Sequence, residues 1–435
     1  MKIRILHLVT ALALVSCSSD ALVDDRGAKG ADEAPIAFSV DKRNITRAES
    51  SLESNKHYNF GVWTYKVKDG GSMQVMDNYL VGYSDGAGKG YDKSSSTTWN
   101  SGSGTETDHL SPWFYENLGT AEYLNEDATK GYTKTQTDFM SANANQYLRY
   151  WDLAYEKTYF YAYAPYHASG VTFDKETNTI TVAPEAQTAA YDDPTLHEFI
   201  YAGASAVNAD MKDVQLKFKH LGAQLKLKFC EDIPGYQVKM LDVTTTGTGI
   251  QATPAVYDET AKTYTKSKYY TSCGATLDYS NVIAPVATTS HDNATQTGDN
   301  LVFTIPSGIV PAKVTTGEQT YAESPTLYYA VAQPSGSTTG FTFHVSYQLI
   351  AEDNGEVITI HDARVFVPAS VACWQPNTRY IYAFKFTTNS TGTTDPTVTI
   401  DITDPTVPAK SNVYPIVFDG ATIEDYTNNE SSIYS

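Results

Sequence analysis

Apolar and polar residues alternate along much of this chain in short runs, separated by Gly, Pro, Asn, Asp and Ser. Alternation with period two puts every second side chain on one face, the pattern of a half-buried β-strand. Ile36-Ala-Phe38-Ser-Val40 is the first such run, and Tyr58-Asn-Phe60-Gly-Val62-Trp-Thr-Tyr65 is the second. Residues 158–165 set Tyr159, Tyr161 and Tyr163 on one face. Residues 170–174 and 179–183 flank the turn Lys175-Glu-Thr-Asn178 and predict a hairpin. Residues 214–220 place Leu216, Phe218 and His220 together, and 225–229 alternate again. Further strands are predicted at 301–305, 326–331, 342–347 and 357–360. The cleanest spans 379–386, with Tyr380, Tyr382, Phe384 and Phe386 on one side.

Between these runs lie turn-rich breaks. Residues 82–104 are Gly- and Ser-rich and predict a loop, as do 387–395. Composition allows one short helix at 138–146. A series of amphipathic helices and a βαβ alternation are both missing, so the pattern predicts all-β sandwich domains. The texture changes near residue 208, which sets the expected domain boundary there. The chain ends with one strand run at 397–402 and another at 412–418. In the latter Tyr414, Ile416 and Phe418 face one way, and Val413 and Val417 the other. Pro415 has no N–H to give a ladder, so this is an edge strand or one added to another sheet. Polar residues 426–435 are expected to fray.

The first residues are of another kind. Lys2 and Arg4 precede an apolar stretch, residues 5–15, broken only by His7 and Thr10. A charged start, an apolar middle and small Ser16 before Cys17 make a secretory signal. The stretch is shorter than the roughly 20 residues a membrane-spanning helix needs. Leu14-Val15-Ser16-Cys17 resembles a bacterial lipobox, in which Cys17 takes up lipid and becomes the new N-terminus. Residues 18–33 are small and polar and predict a tether.

Composition supports sheet over helix. Of 435 residues, 32 are Tyr and 41% are hydrophobic, enough for real cores. The formal net charge of −19 excludes a nucleic-acid partner, which would require basic patches. With Cys17 lipidated, Cys230, Cys273 and Cys373 allow at most one disulfide, and buried free thiols are the simpler expectation.

Candidate chemistry is sparse. The nine His are scattered without metal-ligand spacing, and His220 in its strand reads as a packed side chain. No nucleophile elbow or phosphate loop is present. The acidic neighbours Asp192-Asp193 and Glu352-Asp353 would point to opposite faces of a strand, so they form no catalytic pair. No enzyme, metal or cofactor is expected. Trp99, Trp113 and Trp151 are the aromatics best placed to stack on a sugar, with core packing the alternative for each.

Four segments, in order, resemble fimbrillin-family precursors of the Bacteroidota. They are the lipobox and Ile36-Ala-Phe38 with Thr46-Arg47-Ala48; Arg149-Tyr-Trp-Asp152 with 159–165; Phe218-Lys-His220-Leu-Gly-Ala-Gln-Leu225; and Trp374-Gln-Pro-Asn377-Thr-Arg-Tyr380. The resemblance implies two transthyretin-like β-sandwich domains in tandem behind a flexible lipoprotein leader. It divides the chain into a signal at 1–17, a leader at 18–47, and domains at 48–208 and 209–435. It further implies export to the outer membrane on a lipid at Cys17, then a cut between Arg47 and Ala48, for which Lys42 and Arg43 are alternatives. That cut would release an edge strand carrying Ile36, Phe38 and Val40. Its place would be taken by a strand from another pilus subunit. Val413, Tyr414, Ile416, Val417 and Phe418, in a tail at about 397–435, are the candidate donor. The alternative is a surface lipoprotein that does not polymerise: a pilus anchor, a pilus tip, or a binder of a host protein or glycan.

Overall fold

The computed structural model describes residues 34–40, 59–83, 113–115, 146–166, 168, 170–188, 199–241, 250–258, 263–303, 309–315, 319–324, 328–387 and 416–425. Almost all of the regular structure is strand, and the longest helix among the described residues is the single turn Ala369–Ala372. Cys17, Arg47, Ala48, Trp99, Val413 and Tyr414 lie outside the described residues, as do the predicted strand at 397–402 and almost all of the predicted helix at 138–146.

The first sheet has eight strands. From edge to edge they are Lys219–His220, Ile200–Val207, Lys157–Ala164, Asn59–Lys68, Gly71–Tyr83, Trp113–Phe114, Phe38–Val40 and Val214–Leu216. The sheet curls so that its ends meet: Val214, Leu216 and Phe218 share a core with Ile200 and Ala202. Period-two alternation in Lys157–Ala164 serves two cores at once. Phe160, Ala162 and Ala164 point into the curl. Tyr161 and Tyr163 point outward, where Trp63 and Tyr201 join them. A four-stranded sheet, Val286–Ser290, Ser272–Asp278, Thr179–Thr188 and Thr172–Asp174, covers that outer face with Ile180, Val182, Ala275 and Leu277. Its hairpin is the one predicted, turning at Asn178 with a φ of 51°. Gly203 permits the close packing, because a Cβ there would stand 1.8 Å from the Val282 carbonyl oxygen.

The second sandwich packs two six-stranded sheets. One is built on Ala223–Glu231, which pairs in parallel with Thr378–Phe386, itself paired to Ile416–Asp425 at the edge. The other centres on Gly340–Ala351, flanked by Tyr236–Met240, Ile250–Asp258 and Val357–Val367. Leu225, Leu227, Phe229, Phe343, Tyr347, Phe384 and Phe386 fill the space between them. Trp374 stacks on Phe341 at 4.9 Å and donates through Nε1 to the Tyr382 hydroxyl at 2.8 Å. Tyr382 in turn donates to the Val371 carbonyl at 2.7 Å.

Residue 208 does not divide the two sandwiches. The strands on either side of it belong to one sheet, and 272–290 return from far downstream to cover that sheet. The physical reason is Asn208, which is buried rather than part of a linker. Its N–H donates to the Glu156 carbonyl at 3.0 Å and its Nδ2 to the Asp152 carbonyl at 2.8 Å. Its Oδ1 accepts from the Thr158 hydroxyl at 2.7 Å.

Tyr382→Phe leaves the buried Trp374 N–H without its acceptor, an expected loss of about 1–3 kcal/mol, read as a lower urea midpoint at unchanged slope.

Candidate assembly interface

The leader run forms a strand, but not an edge strand. Phe38–Val40 lies between Trp113–Phe114, to which it is antiparallel, and Val214–Leu216, to which it is parallel. The expectation of an edge was wrong because the outermost place belongs to Val214–Leu216, from the far side of the chain. Upstream of the strand, Ile36 N–H donates to the Arg149 carbonyl at 2.7 Å, and Trp151 N–H donates to the Ala34 carbonyl at 3.0 Å. The Ala37 carbonyl accepts from Val214 N–H at 2.8 Å, and the Ile36 carbonyl from the Tyr115 hydroxyl at 2.9 Å.

Phe38 is fully buried and Ile36 almost so. The Phe38 ring makes edge-to-face contacts with Phe60, Tyr115 and Phe160, each at 5.7 Å between centroids. Such contacts add to what burial alone contributes. Val40 is paired with Leu216 in the same ladder. Ile36 and Phe38 are thus brought together in one aromatic-walled seat.

The seat is tied together by side chains that do not belong to the leader. Gln146 is buried, and its side-chain amide bonds to neighbouring backbone. Its Nε2 donates to the carbonyls of Leu80 and Tyr115 at 2.8 and 2.9 Å, and its Oε1 accepts from Leu80 N–H at 2.7 Å. The Arg149 guanidinium donates to the Tyr79 hydroxyl at 2.7 Å. Lys66 reaches Asp152 at 2.8 Å. Burial pushes the Asp152 carboxyl up, but the Lys66 hydrogen bond and the Ala154 N–H outweigh it and hold the carboxyl below its usual range. Gln146, Tyr79 and Tyr115 carry no pattern that sequence reasoning could have used. The sequence singled out only the leader run and Arg149-Tyr-Trp-Asp152 here, as two separate segments.

The tail residues Ile416, Val417 and Phe418 are elsewhere. They begin the strand Ile416–Asp425, antiparallel to Thr378–Phe386 at the edge of the second sandwich. Ile416 is buried, and Phe418 rests between the Tyr382 and Phe384 rings at 6.3 and 6.1 Å. Asp419 is the extra residue of a β-bulge, followed by Gly420 at a φ of 116°. Its carboxylate accepts from the Tyr321 hydroxyl at 2.7 Å and from Gln319 Nε2. Asn377 Nδ2 donates to Asp425 at 2.9 Å near the strand's end.

Other candidates resolve into packing. Trp113 and Trp151 are buried in the first core, so neither offers a face to a sugar. His220 is fully buried, with its N–H donating to Asn377 Oδ1 at 3.0 Å. Cys230, Cys273 and Cys373 are free thiols, and burial pushes the Cys273 thiol up to about 12. Among the described residues no group of His, Cys, Asp or Glu is arranged to hold a metal, and no helix is long and apolar enough to cross a membrane.

A family model described as fimbrillin-like matches residues 84–404. Among solved structures, the chain is similar to a fimbrial protein from Bacteroides vulgatus. Identity is 13% and the TM-score is 0.47, over 91% of this chain and 100% of the other. It is also similar to a provisionally assigned cell adhesion protein from Bacteroides uniformis, with 12% identity and a TM-score of 0.37, over 92% and 100% of the two chains. A third is the fimbrial anchor protein Mfa2 from Porphyromonas gingivalis, with 8% identity and a TM-score of 0.22, over 85% and 89%. No curated protein matches.

Phe38→Ala is expected to destabilise the first sandwich by about 3–5 kcal/mol, measured as a lower denaturant midpoint of the uncut chain. Asp152 supplies a second expectation. Its folded-state pKa is depressed, so its contribution is present above the unfolded carboxylate range and is lost as pH falls through the lower folded value. The protection of amides 149–151, taken as exchange relative to the unfolded chain at the same pH, should therefore fall in acid below that range, and Asp152→Asn should remove that fall.

Proposed function

The chain belongs to the fimbrillin-like family of pilus-related structural proteins, and from that premise we propose that it is a pilus subunit that polymerises by strand exchange. The observation that supports this reading is the position of the leader. A strand whose central ring is fully buried sits between two others in the sheet, close to the first of the described residues. Its loss would part Trp113–Phe114 from Val214–Leu216 and empty a pocket walled by Phe60, Tyr115 and Phe160. Bare backbone edges and bare apolar walls are both costly, so the gap would favour a replacement strand.

In this reading the precursor is carried to the outer membrane by lipid on Cys17, and cleavage between Arg47 and Ala48 removes lipid and leader in one step. The gap then takes the tail of another copy, with Ile416 and Phe418 as its anchors. That tail first leaves its place beside Thr378–Phe386. Because donor and acceptor are different surfaces, each addition creates a new acceptor problem for the next copy, and the assembly grows as a filament rather than closing as a dimer.

The surface form is expected to begin at Ala48 on N-terminal sequencing and to run as SDS-resistant ladders that vanish when residues 413–418 are deleted. A lipidated Cys17 start on a permanently monomeric protein would falsify the stalk reading and leave an anchor.

A further inference from the structure

The leader strand has a flaw. Ile36 and Phe38 fill apolar space, but Ser39 turns to the opposite face of the sheet, and there its Oγ is buried with no hydrogen-bond partner. A buried hydroxyl without a partner is destabilising, whereas an apolar side chain of similar size at the same point is not. The leader is therefore not the best occupant of its own groove.

We propose that the site of Ser39 sets the register of the strand that replaces the leader, and that its preferred occupant is Val417 of a second copy of this chain. The assignment rests on the strand-exchange reading above. A tail whose pocket-facing residues are spaced by two can enter the groove only in steps of two. With Phe418 in the Phe38 pocket, Asp419 falls on the Ser39 site, and a carboxylate is buried where even a hydroxyl finds no partner. With Tyr414 in the pocket, Pro415 falls on that site and interrupts the ladder, which at Ser39 stands opposite Gln215. With Ile416 in the pocket, Val417 falls on the Ser39 site and Phe418 takes the place of Val40. For a tail that runs in the same direction as the leader, only this register puts an apolar residue with a backbone N–H at the site. Ile416 fills the pocket less completely than Phe38 does. Burying an unpaired charge costs more than that loss of packing, which decides between the first register and the third. Val is also β-branched and suits an extended backbone. The Ser39 site thus penalises the leader at one position and selects among the registers of the strand that replaces it.

The test uses the full chain, cut at the leader by a trypsin-like protease, with two separate substitutions, Ser39→Val and Val417→Ser. Exchange is followed by loss of a fluorescently labelled leader and by growth of SDS-resistant ladders. Ser39→Val is expected to slow leader loss about tenfold, the lower end of what an unpaired buried hydroxyl costs. Val417→Ser should slow ladder growth to a similar degree while leader loss is unchanged. Chains already freed of the Ser39→Val leader should accept wild-type tails at the wild-type rate, which separates an effect on the occupant from damage to the fold. Ladder growth indifferent to both substitutions overturns this assignment alone. A cut wild-type chain that forms no ladders overturns the strand-exchange reading and this assignment with it.

Discussion

The first sandwich depends on one insertion: the Phe38 ring, at the centre of three aromatic edges, on a strand that joins two others from distant parts of the chain. Without that strand the sheet has no continuous ladder between Trp113–Phe114 and Val214–Leu216. The seat itself is differently secured. Gln146, Arg149 and Asp152 are fixed to Leu80, Tyr79 and Lys66 by contacts in which the leader takes no part. These ties do not pass through the leader strand, whereas the backbone edges of Trp113–Phe114 and Val214–Leu216 do depend on it.

The segments that carry the family resemblance meet in two pairs. The leader run lies against Arg149-Tyr-Trp-Asp152 through the Ile36 and Trp151 amides. Phe218-Lys-His220 lies against Trp374-Gln-Pro-Asn377, where Asn377 accepts from His220 N–H and its own N–H donates to the Gly222 carbonyl at 3.0 Å. Asn377 does this at a φ of 55°, a backbone region that Asn tolerates better than most residues. The second pair also starts the parallel ladder of Ala223–Glu231 with Thr378–Phe386, so it joins residues more than 150 positions apart in the sequence.

How far the sequence could be read follows from which interactions are local. Strand identity was legible wherever alternation was strict, as in 379–386, because one residue in two must face a core. The hairpin at Asn178 was legible for the same reason. Pairing was not, since nothing within Ile36-Ala-Phe38 says that its neighbours will be residues 113 and 214. The change of texture near residue 208 marked no division of the sandwiches, because the partners that hold Asn208, Asp152, Glu156 and Thr158, lie 50 to 56 residues upstream and no local pattern names them. The tryptophans were ambiguous on the same ground: whether an aromatic face is a binding surface or core filling is settled by what packs on it. The tail was read as an edge or added strand, and it forms an edge strand, longer than expected because its polar half, 419–425, pairs as well.

The bulge at Asp419 and Gly420 bears on a different hazard. A straight outer strand at the rim of a sheet is a template for sideways association and aggregation. An extra residue, a left-handed glycine and a carboxylate turned toward Tyr321 twist and charge this rim midway along its length. The molecule is thereby discouraged from sticking laterally to its neighbours.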